Sequence, residues 1–110
     1  MDEPGVRATV LRQPLPDVVT STVEARRITL QPRVEGGPHR HNGPVLGAIE
    51  SGSVVFQVDG GPERVLAAGD VFYEPADTVI DRFHATDEGV TFLAWFLTGP
   101  GEVPELTPER

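Results

Sequence analysis

Apolar and β-branched residues recur along the chain in short runs, several of which alternate with polar neighbours. Val54, Phe56 and Val58 fall on one side of a period-two pattern and Val55 and Gln57 on the other, the spacing of a strand with one buried face. Asp59-Gly60-Gly61-Pro62 follows, with glycines that supply the positive φ angles of a hairpin turn, so Arg64 to Ala67 is the expected return strand. The same reasoning predicts strands over Val23 to Leu30, Val45 to Glu50, Ser53 to Asp59 and Val71 to Tyr73, with Thr78 to Phe83 extended. Ser51-Gly52, Gly69-Asp70 and Glu74-Pro75-Ala76-Asp77 are the turns between them. Val90 to Leu97 is nearly unbroken in its apolar character and reads as a strand buried on both faces, with Trp95, Phe96 and Phe92 or Leu93 in the barrel wall and core.

Eleven prolines and twelve glycines punctuate the chain, which leaves few places for a helix of ordinary length. Many short strands without a solenoid repeat predict an all-β sandwich or barrel. A chain of 110 residues accommodates one core. The expected division is an N-terminal extension or edge strand over 1–22, a barrel over 23–98 and a tail over 99–110. That tail carries three prolines and three glutamates and should drape or fray.

Charge and composition narrow the partners. A net charge of -8, with nine scattered basic residues, argues against a nucleic-acid partner, which needs clustered Lys and Arg. No segment approaches the ~20 apolar residues of a membrane helix, and the N-terminus has no basic-then-apolar leader. No membrane association and a cytoplasmic location are therefore expected. With no cysteine, metal ligands must come from His, Asp, Glu or Gln.

The strongest chemical signal is Gly36-Gly37-Pro38-His39-Arg40-His41-Asn42-Gly43-Pro44. In an extended strand His39 and His41 share a face about 7 Å apart and can converge on one ion. By itself His-x-His on a Gly/Pro loop also fits two surface histidines.

The wider pattern resembles the cupin superfamily, whose first motif reads Gly-x5-His-x-His-x3–4-Glu-x6-Gly and whose second reads Gly-x5-Pro-x-Gly-x2-His-x3-Asn. His39, His41 and Gly52 match the first, and Gly69 and Pro75 match the second with its five-residue interval. The resemblance spans roughly 24 to 97 and implies a double-stranded β-helix, the jelly-roll barrel of that superfamily. Val45 stands at the glutamate position, Asp77 at the glycine, Ile80 at the third histidine and His84 at the asparagine, so the full three-His, one-Glu set is absent.

A one-residue insertion in the Ala76-Asp77-Thr78 turn would bring Asp81 into the histidine slot. His39, His41 and Asp81 are then the expected ligands of one divalent ion, Zn, Mn, Fe or Ni. His84 competes for that role, but residues 81 and 84 point to opposite faces of a regular strand unless a bulge intervenes. Gln57, Tyr73 and Glu74 join His84 as candidate pocket residues. The resemblance implies a small-molecule ligand and leaves isomerase, cyclase and dioxygenase chemistry open, and enzyme or not is undecided. Its rival is a metal-free binding module or structural homodimer, favoured by the apolar Val45 and Ile80, and a third reading has His39 or His41 as a general base without metal. A homodimer is expected, with Val18 to Val23 available to pair across.

Overall fold

The computed structural model describes residues 4–109. Seven strands run in chain order as β1 (Thr22–Leu30), β2 (His39–His41), β3 (Val45–Val58), β4 (Arg64–Ala67), β5 (Val71–Glu74), β6 (Ile80–Thr98) and β7 (Leu106–Pro108), with no helix among the described residues. The sheet order is β4-β3-β6-β2-β7, with β1 also on β6 and β5 also on β3. Every pairing is antiparallel. This is an all-β double-stranded β-helix.

β3 and β6 form its spine, paired from Val45↔Phe96 to Val58↔Ile80. The two strands expected on either side of Ser51-Gly52 are one bent strand. Ser51 and Gly52 stay in the ladder opposite Thr91 and Val90, with register shifts on both sides. Gly52 and Gly89 both adopt left-handed φ angles, 73° and 69°. A Cβ on Gly52 would lie 2.0 Å from the Gly89 carbonyl oxygen, so only glycine lets the two backbones cross this closely. The shared kink turns both strands without breaking them, and it also joins the expected segments 78–83 and 90–97 into a single 19-residue strand.

Side-chain alternation fills the interior. Val54, Phe56, Phe72, Phe92, Ala94 and Phe96 point inward and are buried. Phe56, Phe72, Phe83 and Phe92 form a ring cluster with centroids 4.8–6.0 Å apart, in the tilted and edge-to-face arrangements that aromatic quadrupoles favour. Leu93 and Trp95 face the other way and are half-buried. The apolar run of β6 therefore has a core face and a wall face.

The tail drapes. β7 pairs with β2 in the register His39↔Pro108, Arg40↔Thr107, His41↔Leu106. Asn42 Nδ2 donates to the Val103 carbonyl at 2.9 Å, Glu105 N donates to Asn42 Oδ1 at 2.9 Å, and Arg40 pairs with Glu109 at 3.1 Å. At the other end, residues 4–21 form no strand, and Ser21 N donates to Thr98 O at 2.9 Å. The first three residues of the expected extension and Arg110 of the tail lie outside the described residues.

Candidate metal centre

β2 is three residues long, with His39 and His41 inward and Arg40 outward, as period-two alternation requires. Its neighbours fix it on both sides. Opposite His39 lies Ile80, which is fully buried. On the turn after β5, Asp77 N donates to the His41 carbonyl at 2.8 Å, while Arg40 Nη1 donates to the Asp77 carbonyl at 2.6 Å. These bonds clamp the histidine strand to the Glu74-Pro75-Ala76-Asp77 turn.

The clamp brings Glu74 to the histidines. Glu74 is 3% exposed, and its Oε1 accepts from His41 Nε2 at 2.9 Å. One ligand atom each from His39, His41 and Glu74 lies within 4.8 Å of the others. A carboxylate at this depth needs a donor or a cation beside it, because removing an unpaired charge from water is costly. His39 Nδ1 lies 2.8 Å from the Gly37 carbonyl. A carbonyl only accepts, so Nδ1 donates, and in the neutral ring the Nε2 lone pair is left for an ion, the usual outer support of a metal-bound imidazole. The ring centroids of His39 and His41 are 4.9 Å apart and nearly perpendicular.

A cavity of about 240 Å³ opens beside this trio, walled by Val45, Phe72, Phe92 and Phe96, with Leu106 of the tail and Arg26 of β1 among its remaining lining groups. Two imidazole nitrogens and one carboxylate oxygen, converging and buried, suit a four-coordinate zinc or a two-His, one-carboxylate iron site with positions left open. The residues present fit a divalent ion.

Asp81, expected as the carboxylate ligand, is not brought to the histidines. The turn holds no insertion, because Asp77 itself takes the left-handed conformation, φ 53°, where the motif has glycine. Ile80 consequently keeps the slot opposite His39. Val58 pairs with Ile80 and Gln57 with Arg82, so Asp81 is the extra residue of a bulge. The bulge lets Ile80 and Phe83 both face inward and turns Asp81 outward, where Oδ2 accepts from Gly60 N at 2.8 Å.

Three of the four candidate pocket residues also lie off the cavity wall. His84 follows the inward Phe83 and bridges to Glu35. Gln57 follows the inward Phe56, donates to the Gly61 carbonyl at 2.9 Å and accepts from Arg82 at 3.3 Å. Tyr73 lies between the inward Phe72 and Glu74 on the other face of β5. The fourth, Glu74, is the residue in the pocket. Sequence reasoning weighed it chiefly as a turn residue, although its two-residue spacing from Phe72 gave its side. Val45, at the motif's glutamate position, pairs directly with Glu74 across β3 and β5. The carboxylate is thus supplied from the neighbouring strand.

Residues 26–96 match the family model described as Cupin domain, and the chain belongs to the cupin family. No curated protein sequence matches it. Among solved structures it is similar to the DMSP lyase DddQ from Ruegeria pomeroyi (TM-score 0.67, 19% identity, 76% of this chain and 42% of that one). It is also similar to an RmlC-like cupin from Shewanella frigidimarina (TM-score 0.62, 24% identity, 72% and 68%) and to a cupin-like protein from Thermotoga maritima (TM-score 0.66, 21% identity, 79% and 65%). The chain spans less than half the length of the lyase, and likeness at these identities speaks for the fold.

Proposed function

We propose that the protein is a small-molecule-binding cupin that holds one divalent ion, Zn, Mn, Fe or Ni, on His39, His41 and Glu74. The observation that carries this reading is the buried convergence of two imidazoles and one carboxylate within 4.8 Å at the cavity wall. When bound, the ion would supply Lewis acidity and lower the pKa of a coordinated water. The chain's own groups divide the remaining work. The Gly37 carbonyl orients His39, the Asp77 clamp holds β2 beside Glu74, and the phenylalanine wall gives the cavity an apolar face.

The rival reading, a metal-free binding module, has one observation in its favour: the His41–Glu74 hydrogen bond satisfies both groups without an ion. Metal analysis separates the two. One tightly held ion per chain is expected after purification and dialysis, or stoichiometric uptake when the stripped protein is titrated with zinc. A chain that takes up none of the four metals would leave the binding module.

A further inference from the structure

The cavity has an amphipathic lining. Its wall is largely aromatic and aliphatic, and apart from the histidines its one cationic side chain is Arg26. Arg26 shares the inward face of β1 with Ile28 and Leu30, which also line the cavity, and it pairs in register with the buried Ala94. Its guanidinium carbon lies 4.8 Å over the Phe96 ring, whose centroid is 5.8 Å from that of His41. Phe96 therefore separates the cation from the ligand trio, and the cavity runs past both.

Arg26 is held in place but not saturated. Nε donates to Glu24 Oε2 at 2.5 Å, and the guanidinium carbon sits over the Phe96 ring within cation–π range. The two Nη nitrogens have no acceptor among the described residues. That edge of the fork presents two parallel donors, the geometry that matches a carboxylate. The rim also carries Glu105, and the chain as a whole is acidic, so an anion has no general attraction to this surface and needs the specific contact.

We infer that the cavity takes a small organic acid with an apolar body, its carboxylate on the Nη edge of Arg26 and its body against the phenylalanine wall toward the histidines. A volume of about 240 Å³ lies below the roughly 300–1,000 Å³ of sites for drug-sized ligands, which restricts the body to a few carbons. The inference deepens the proposed function, and rests on that reading for the cavity being the ligand site. It does not require that an ion be bound.

Pentanoate and its neutral isostere pentanamide are the probes, titrated calorimetrically into stripped and zinc-loaded protein. Pentanoate is expected to bind about tenfold or more tightly than the amide in both forms. Arg26→Met, which keeps the stem and removes the charge, should erase the preference, and Arg26→Lys should retain part of it. Glu24→Gln frees Nε from its competitor and should tighten pentanoate binding, a gain that misfolding does not produce. Each variant should still take up one zinc per chain, so failure of the metal reading shows separately as no zinc uptake. Absence of pentanoate binding, equal binding of acid and amide, or a preference that survives Arg26→Met would overturn the inference. A preference confined to the zinc-loaded form would place the carboxylate on the ion and overturn it as well.

Discussion

Glu74 shows how much a single position depends on its partners across the sheet. Its sequence neighbourhood, Tyr73-Glu74-Pro75, reads as the end of a strand and the start of a turn, and nothing local marks it as a ligand. What places it in the site is the pairing of Val45 with Glu74, a contact between residues far apart in the chain. Asp81 fails for a similarly non-local reason: the bulge that expels it exists only because Gln57 and Val58 pair with residues on either side of it. His39 and His41, two residues apart on one strand, were legible because their geometry is local. The phenylalanines and Trp95 make the same contrast testable. Phe72 is 2% exposed and packs on three other phenylalanines, whereas Trp95 is half-buried on the outer face of β6. Phe72→Ala should cost about 3–5 kcal/mol of unfolding free energy and Trp95→Ala about 1–2 kcal/mol, measured by urea denaturation of the metal-free protein. A larger loss for Trp95 would mean that the two faces of β6 have been interchanged.

At the scale of elements, the turns and most strands could be read from period and punctuation, but the bends could not. Ser51-Gly52 carries the residues of a turn, yet its backbone stays paired because Gly89 faces it on the other long strand. The strand within the draped tail was also not legible: prolines and glutamates with little apolar content give no strand signal, and β7 forms because β2 offers an open edge. That edge backs the proposed metal site, so β7 should matter for ion binding. Arg40 holds the Glu109 carboxyl below its ordinary value of 4.5, chiefly through their hydrogen bond. A carboxyl depressed in the folded state contributes above the ordinary value and loses its contribution as the pH falls through its own lower one, so this anchor is complete at neutral pH. Ending the chain after Pro100 removes β7 with its bonds to Asn42 and Arg40, and should weaken zinc binding about tenfold, as loss of outer support around a ligand does. Calorimetric titration of the shortened chain checks this, and an affinity equal to that of the full chain would show that β2 holds its ligands unaided.

For the whole molecule, the barrel was legible because many short strands with strong turns have few other solutions. The departures from the family motif were also legible, at Val45, Asp77 and Ile80. Their consequence was not, because it depends on which strand end closes over the histidines once the usual carboxylate is missing. The fold answers by pairing β5 beside the start of β3 and bonding the following turn to β2, so that a carboxylate from a different strand arrives beside the histidines. The central claim is therefore that Glu74 completes the site. The most direct measurement is zinc titration of the stripped wild-type protein alongside Glu74→Gln and Asp81→Asn, with circular dichroism to confirm that each variant is folded. The expected result is one ion per chain in the wild type, a loss of roughly 100-fold or more in affinity for Glu74→Gln, and no change for Asp81→Asn. Undiminished affinity in Glu74→Gln together with weakened affinity in Asp81→Asn would contradict it.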